Sequence, residues 1–303
     1  MATITPYFQQ LKEKYSLPDK EGFIPTDLDR VKFFWATETI ERSPLIYEAG
    51  IVIVGQGHKI GYLGDRMFHY DTDNYLVVSV STPFECATYA KADEPLLGLF
   101  IDIDLSELHE LVAVVSGESS APRLDAMQLP TGIEPVALDR DMSSAVGRLA
   151  KCMCSSLECK VLGQSLIKEI IFRALLGKQG PALFALTQHN TNYTRIAKAL
   201  SYMRLNYAEP LTVEMLSADI GMSVSVFHRC FKQITGSSPL QYLKQIRLNR
   251  AKSLIIHDGA NVNIAATSVG YESPSQFSRE FKRYFGVPPT KARDTGYQAV
   301  SYN

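Results

Sequence analysis

Residues 221–239, GMSVSVFHRCFKQITGSSP, and residues 270–289, GYESPSQFSREFKRYFGVPP, are two versions of one pattern. Both begin at a glycine, continue with a serine a few residues later, and then place apolar and basic side chains at the same spacing. Six residues recur fifty positions further on: Phe227, Arg229, Phe231, Lys232, Gly236 and Pro239 match Phe277, Arg279, Phe281, Lys282, Gly286 and Pro289. Because the copies differ by one residue only in the turn, we interpret them as one structural unit used twice.

Each copy predicts a helix-turn-helix unit. In the first copy, Thr212 can cap a short helix that ends at Gly221, and Ser223 can cap a second helix that ends at Gly236. The second copy carries the same signals, with Ser273 as the cap of its second helix. Two short helices joined by a tight turn that contains glycine form a helix-turn-helix.

The second helix of each unit has an apolar face and a basic face. At about 100° per residue, the apolar side chains fall together and the polar side chains fall opposite them. The apolar sets are Phe227, Cys230, Phe231 and Ile234 in the first unit, and Phe277, Phe281 and Phe285 in the second. The opposite faces carry Ser225, Arg229 and Lys232, and Ser275, Arg279 and Lys282. The same Ser–Arg–Lys stripe is therefore predicted to point outward from both helices.

This outward stripe suits the major groove of double-stranded DNA. The guanidinium of arginine matches the two acceptors of guanine, serine can donate or accept, and lysine can contact a phosphate. For either helix alone, a solvated basic face is the alternative interpretation. Because both helices carry the same stripe, the pattern favours DNA binding.

The segment between the two units, residues 237–259, predicts a long helix. A serine caps it, Pro239 takes its first position and Gly259 ends it. Its ~18 residues would span roughly 27 Å, which approaches the ~34 Å between successive major-groove faces of a duplex. One chain can therefore place both recognition helices in adjacent groove segments. The sequence does not decide whether the basic residues of this helix contact phosphates or pack; they are Lys244, Arg247, Arg250 and Lys252.

The first half of the chain predicts short β-strands. The runs GIVIV at 50–54, NYLVVSVS at 74–81 and PLLGLFIDID at 95–104 are apolar or alternating, and turn residues separate them. Many short strands without intervening helices favour a sandwich or a small barrel. From about 141 to 176 the apolar residues follow helical spacing, which predicts packing against the strands, a dimer interface, or both.

Charge divides the chain between these two regions. Residues 194–303 hold 14 Lys and Arg against 7 Asp and Glu, so residues 1–193 hold the other 17 basic and 25 acidic residues. A basic C-terminal third on an acidic chain indicates a nucleic-acid partner for that third alone. We predict a sensing domain at 1–178, a linker at 179–193 and a DNA-binding domain at 194–303.

Composition excludes several other classes of protein. With 46% hydrophobic and 21% charged residues, the chain has the average composition of a soluble globular protein. It has no apolar run of the ~20 residues that span a bilayer. The five cysteines are few and odd in number, unlike a secreted disulfide framework. We therefore expect a cytoplasmic protein without a membrane segment.

The stretch from about 196 to 293, including GYESPSQFSREFKRYFGVPPTKAR, resembles the DNA-binding domain of AraC/XylS-type transcriptional regulators. The resemblance implies promoter DNA and RNA polymerase as partners. It places the base-reading positions on Ser225 and Arg229 in the first unit and on Ser275, Gln276 and Arg279 in the second. The first recognition helix departs from many members of the family, because it offers a small Ser225 and an apolar Val226.

Residues 20–175 resemble one class of AraC-type N-terminal regulatory domains, in the stretch that contains RSPLIYEAGIVIVGQGHKIGYLGD. This resemblance implies a cupin-like β-barrel, flanking helices that commonly dimerise, and a small-molecule effector. Some regulators of this arrangement respond to reactive aldehydes. The predicted fold is therefore α+β: a cupin-like barrel followed by an all-α domain of two helix-turn-helix units joined by a long helix.

Two kinds of chemistry are candidates in the N-terminal domain. Strand alternation around Cys86 turns its thiol toward the barrel interior, where an electrophile can reach it; a plain buried side chain is the alternative. Many cupins hold iron with two histidines and a carboxylate, but His58, His69 and Glu85 lack the usual spacing. We expect no metal and no cofactor, and the cysteines at 152, 154 and 159 do not share one helix face.

The sequence thus predicts a sequence-specific transcription regulator, by family habit an activator, that responds to a small molecule such as an aldehyde or another electrophile. It predicts no enzyme. Two alternatives remain open: a metal-dependent cupin enzyme fused to a DNA-binding domain, and an architectural DNA binder that responds to no ligand.

Overall fold

The structure, a computed structural model, describes residues 4–17, 20–117, 129–188 and 191–292. The strands are β1 (Glu21–Pro25), β2 (Val31–Ala36), β3 (Ile40–Tyr47), β4 (Gly50–Gln56), β5 (His58–Leu63), β6 (Arg66–Tyr70), β7 (Asn74–Val78), β8 (Thr82–Tyr89), β9 (Leu96–Asp102) and β10 (Ile133–Ala137). The helices are α1 (Thr5–Tyr15), α2 (Leu105–Ser116), α3 (Arg140–Met153), α4 (Ser156–Leu176), α5 (Gly180–Thr187), α6 (Asn192–Leu205), α7 (Val213–Asp219), α8 (Val224–Thr235), α9 (Pro239–Ile256), α10 (Val262–Ser268) and α11 (Pro274–Phe285). None of these described helices is both long and apolar enough to cross a lipid bilayer.

Two antiparallel sheets face each other in the N-terminal domain. One has six strands in the order β1-β2-β9-β4-β7-β10, and the other has four in the order β3-β8-β5-β6. Alternation along the strands buries Phe34, Phe84 and Phe100 between the sheets. The neighbouring residues Phe33 and Leu99 point to the other side of the larger sheet, where the helices cover them.

The predicted α+β class is confirmed, and the cupin-like barrel takes an open form. Within the described residues, no ladder of strand hydrogen bonds joins the six-stranded sheet to the four-stranded one. Each sheet keeps two edge strands, and side-chain packing between the sheets holds them together.

The helical stretch predicted from about 141 to 176 is two helices, α3 and α4. The chain leaves α3 at Cys154, and Ser155 begins α4 by accepting a hydrogen bond from the backbone N–H of Glu158 at 3.3 Å. Serine is a strong N-cap. The apolar spacing runs through this break, so periodicity alone does not reveal it.

The segment predicted as a linker, 179–193, contains helix α5. Its proline, Pro181, lies in the first turn, where proline begins a helix rather than breaking it. Leu183 and Phe184 are buried in the core of the N-terminal domain, and Ala182 and Ala185 in the core of the first helix-turn-helix unit. The domain boundaries themselves stay a prediction.

Helices α6–α11 form the C-terminal domain in the predicted order. Helices α7 and α8 are the first helix-turn-helix unit, and α10 and α11 are the second. The long helix α9 joins them, with Ser238 as its cap and Pro239 in its first turn. The chain then turns at Gly259, which has a φ of 66°.

Candidate DNA-binding surface and sensor cavity

Helix α8 presents the predicted stripe to solvent. Ser223 begins the helix by accepting a hydrogen bond from the backbone N–H of Val226 at 3.4 Å, and Gly236 ends it with a φ of 73°. The apolar face is buried, comprising Phe227, Cys230, Phe231 and Ile234. The opposite face is exposed and carries Ser225, Arg229 and Lys232. Their exposure leaves these polar groups free to meet a duplex.

Helix α11 repeats this geometry in the second unit. Ser273 caps it, Pro274 lies in the first turn and Gly286 ends it with a φ of 77°. Phe277 and Phe281 are fully buried. The exposed residues of the helix include Ser275, Gln276, Arg279 and Lys282. The structure therefore brings every predicted base-reading residue to the surface of its recognition helix.

An acidic residue that the sequence analysis missed, Glu280, lies beside this second stripe. Its carboxylate accepts hydrogen bonds from Gln276 Nε2 at 3.3 Å and Tyr271 Oη at 2.9 Å. It also pairs with Lys244 Nζ on α9 at 3.6 Å. The spacing of four residues between Gln276 and Glu280 is the signal that could have revealed the contact. Glu280 therefore orients Gln276 before DNA is bound.

Arg247, a basic residue of α9, is a packing residue. Its guanidinium donates to the backbone carbonyls of Tyr207 at 2.7 Å, Glu209 at 2.8 Å and Gly270 at 3.2 Å. The first two carbonyls precede the first unit, and the third lies in the turn of the second. Arg247 therefore fixes the second unit against the helix that joins both.

Lys252, four residues from the end of α9, is also a packing residue. It is buried, and its Nζ lies 4.6 Å from the ring centre of Phe285 on α11. Burial lowers the pKa of Lys252 to about 8, and the Glu21 carboxylate of the N-terminal domain offsets part of that fall. A residue so placed is not offered to a DNA phosphate.

The first unit and the start of α9 pack directly on the N-terminal domain. Tyr242 Oη on α9 donates to the backbone carbonyl of Ser81 at 2.9 Å, and the Gly132 N–H donates to the Ile234 carbonyl at 2.8 Å. Val80 shares one apolar cluster with the buried side chains of α6 and α8. These contacts join residues about a hundred or more positions apart, so no local sequence signal predicts them.

A cavity of about 40 Å³ lies between the two sheets. Cys86 lines it, and the Cys86 Sγ lies 3.2 Å from Tyr70 Oη. The sequence analysis missed Lys59, which lines the same cavity and donates from Nζ to Tyr47 Oη at 3.2 Å. Burial alone would lower the pKa of Lys59, but Tyr47, Cys86 and the Glu21 carboxylate together raise it to about 12. Lys59 therefore carries a buried positive charge at neutral pH.

The three residues weighed as metal ligands do not converge. The His58 ring stacks on Tyr89 with ring centres 4.6 Å apart, His69 is exposed, and Glu85 accepts a hydrogen bond from Arg42 Nε at 2.8 Å. In the part of the chain that the structure describes, no three His, Cys, Asp or Glu side chains are grouped to hold a metal ion.

The cysteines near the junction of α3 and α4 belong to the core. Cys152 and Cys159 are buried, and the Cys159 thiol donates to the Cys152 carbonyl at 3.4 Å. Cys154 is half-buried at the end of α3. Burial raises the pKa of the Cys152 thiol to about 11, so it stays protonated at neutral pH.

Comparisons with known proteins match both halves of the chain. The family model described as AraC-type transcriptional regulator N-terminus matches residues 27–182, and a helix-turn-helix domain model matches residues 216–295. The virulence regulon transcriptional activator VirF of Yersinia enterocolitica is 24% identical over 277 residues, which cover 88% of this chain and 97% of VirF. The HTH-type transcriptional activator RhaS of Escherichia fergusonii is 28% identical over 166 residues, covering 55% of this chain and 52% of RhaS.

Solved structures share the fold of the whole chain. Wild-type ToxT of Vibrio cholerae strain SCE256, with an unsaturated fatty acid bound, superposes with a TM-score of 0.57 at 12% identity over 94% of this chain and 100% of ToxT. The match of the N-terminal family model covers more than half of the chain, and the helix-turn-helix model covers both recognition helices. The chain therefore belongs to the AraC-type transcriptional regulators and is a DNA-binding transcription regulator.

Proposed function

We propose that this regulator is a transcription activator that reads promoter DNA with α8 and α11 and takes its signal from a small molecule in the N-terminal cavity. The observation that carries the DNA-reading part is the repeated exposed stripe, Ser225–Arg229–Lys232 and Ser275–Arg279–Lys282, on two helices with buried apolar faces. VirF and RhaS are both named activators, which supports activation over repression. RNA polymerase is the partner that activation requires.

The signal we propose is an electrophile, such as an aldehyde, that reacts at Cys86. Support comes from the position of this thiol, which is buried in the core between the sheets and lines the cavity there. Tyr70 Oη lies 3.2 Å from Cys86 Sγ, within hydrogen-bond distance of it. A reaction there would alter β8, the strand that begins beside the contact between Ser81 and Tyr242 of α9.

We also propose a homodimer through the outer face of α4. Ile167, Ile170 and Ile171 are buried in the core, whereas Leu157 and Val161 are 74% and 69% exposed on the same helix. The apolar stripe of this region thus supplies both packing and a surface. Light scattering of Leu157→Glu beside the native chain tests the dimer, since a charge in that surface should leave only monomer.

Genome-wide footprinting of the native chain beside Arg279→Ala tests the DNA-reading part. We expect a small number of sharp sites that the variant loses or shifts, because Arg279 is exposed at a base-reading position. Arg140→Ala is the matched control: it removes an exposed arginine from α3, far in sequence from both units. Diffuse occupancy that neither variant changes would contradict base reading and favour an architectural DNA binder.

A further inference from the structure

The N-terminal cavity has a composition that a plain core void would not have. Phe34, Leu45 and Leu96 give it apolar walls, and Lys59 and Cys86 give it an ammonium and a thiol. Its 40 Å³ is room for about three water molecules, since each needs roughly 10–15 Å³. Only a very small ligand suits this cavity, and one with more than about three heavy atoms must displace side chains that line it.

Lys59 is charged but incompletely paired. It is 7% exposed, and its ammonium has three N–H donors. Among the described residues, Tyr47 Oη is its one hydrogen-bond acceptor, and no carboxylate lies within ion-pair distance of it. Phe34 and Tyr47 place ring centres 5.5 and 5.8 Å from Nζ, which stabilises the charge only weakly. A buried charge in this state favours an oxygen anion that completes its shell.

The Glu21 carboxylate offsets only part of the positive charge of Lys59. It lines the cavity as Lys59 does, and its carboxylate also acts on Lys252 of α9. Burial raises the pKa of Glu21, and the charges of Lys59 and Lys252 offset only part of this rise. Because Glu21 acts on two lysines and makes no ion pair within 4.0 Å with Lys59 in the described structure, Lys59 keeps capacity for another carboxylate.

The register of two paired strands fixes the position of the Cys86 thiol relative to the Lys59 ammonium. Lys59 pairs with Thr88 across the β5–β8 ladder, and Gly61 pairs with Cys86, so Lys59 and Cys86 are diagonal neighbours on the inner face of one sheet. Such neighbours have Cβ atoms within about 7–8 Å of each other. A carboxylate bonded directly to a carbonyl carbon can bridge this offset, with the carboxylate at Nζ and the carbonyl at Sγ.

We infer that the cavity binds a two- or three-carbon 2-oxo acid, with its carboxylate on Lys59 and its carbonyl carbon against Cys86. This inference rests on the proposed electrophile sensing and names the electrophile as an acid. In the reaction, the thiol sulfur forms a bond to the carbonyl carbon, the π pair of the carbonyl moves to oxygen, and that oxygen takes the proton that the thiol loses. Nothing is oxidised or reduced, so the adduct forms and dissociates reversibly.

Isothermal titration calorimetry measures binding to the cavity directly. The full-length protein is titrated with glyoxylate and pyruvate, with acetaldehyde as the carbonyl without a carboxylate, and with acetate as the carboxylate without a reactive carbonyl. We expect at least one 2-oxo acid to bind about tenfold more tightly than acetaldehyde or acetate, because each of those makes one of the two contacts.

Variants separate the two contacts. In Lys59→Met, glyoxylate should bind no better than acetaldehyde, and in Cys86→Ser no better than acetate. Lys91→Met, which removes an exposed lysine from a turn of the same domain, is the matched control and should bind as the native chain does. Glu21→Gln removes a competing negative charge and should tighten binding about threefold, which tests Lys59 without altering it.

The results distinguish the carboxylate subsite on Lys59 from the proposed electrophile sensing at Cys86. If acetaldehyde binds as tightly as glyoxylate in the native chain, or if Lys59→Met folds and keeps the preference for the acid, the carboxylate subsite is wrong and electrophile sensing stands. If none of the four probes binds the native chain in the calorimeter, the 2-oxo acid assignment is wrong. The footprinting experiment reads DNA recognition independently of either result.

Discussion

The first helix-turn-helix unit shares its core with the N-terminal domain, whereas the second has a core of its own. Val80 of the N-terminal domain and Ala182 of α5 pack in the cluster that holds Phe227 and Phe231. The cluster around Phe277 instead draws on α9, α10, α11 and the residues that follow, and none of its fully buried members in the described chain precedes Leu248. The same sequence pattern therefore folds in two settings.

This difference indicates which unit can receive a signal directly. A change in the β-sheets reaches the first unit through packed contacts, since Gly132 and Val80 touch it and Ser81 touches the adjoining start of α9. The second unit touches the N-terminal domain where α11 lies beside β3, and Arg247 and Lys252 hold it to α9. We therefore expect the first unit to move with the N-terminal domain and the second to follow the joining helix more closely.

The largest effect that tests this comparison comes from truncating one buried ring in each unit. Phe227→Ala and Phe277→Ala each remove a fully buried phenylalanine, which typically costs about 3–5 kcal/mol. We expect Phe227→Ala to lower the stability of the whole chain, because its cluster includes the N-terminal domain. Phe277→Ala should loosen α10 and α11 alone. Hydrogen exchange followed by mass spectrometry measures both responses.

The matched pair makes the test decisive, because the same atoms are removed at equivalent positions. If both variants lose the same protection from hydrogen exchange in β7 and β8, the core of the second unit is not independent of the N-terminal domain. Protection in α10 and α11 that Phe277→Ala leaves unchanged would contradict the assigned core.

A smaller effect is expected where the two units meet DNA. Arg279→Ala should weaken binding to the specific duplex by about 1–3 kcal/mol and relax the preference at one base position. Arg229→Ala should cost less, because the neighbouring Ser225 and Val226 offer a short and an apolar side chain to the groove. Fluorescence anisotropy at one salt concentration measures both on a footprinted duplex and on a random one.

The random duplex distinguishes base reading from phosphate binding. Weakening of equal size on both duplexes would assign the arginine to a phosphate. A larger loss for Arg229→Ala than for Arg279→Ala would reverse the ranking of the two units.

Local signals predicted the helix-turn-helix units well, because their boundaries depend on nearby residues. The caps Ser223 and Ser273 and the terminal glycines Gly236 and Gly286 all stand where the sequence places them. Each acts on a backbone group within a few residues, and the pattern occurs twice. The faces of α8 and α11 followed from the same short-range periodicity.

Long-range features could not be predicted in the same way. Lys59 is one lysine among many until β5 turns it inward beside Cys86 of β8. The docking of Tyr242 on Ser81 depends on how two domains pack, which periodicity does not encode. Arg247 could equally have contacted a phosphate, and only the position of three backbone carbonyls decides its role.

The smallest effect compares the glycines that end the two recognition helices. Gly236 and Gly286 have φ values of 73° and 77°, so alanine is strained at both by about 1–2 kcal/mol. A Cβ at Gly286 meets nothing within 4 Å, whereas a Cβ at Gly236 lies 2.8 Å from Leu63 Cγ of the N-terminal domain. We expect Gly236→Ala to lower the free energy of unfolding by roughly 1 kcal/mol more than Gly286→Ala. Urea unfolding measures the excess, and Leu63→Ala should abolish it by removing the overlapping side chain. If Gly236→Ala still costs more than Gly286→Ala in the Leu63→Ala background, the extra cost arises within α8. The contact between position 236 and Leu63 would then not contribute to it.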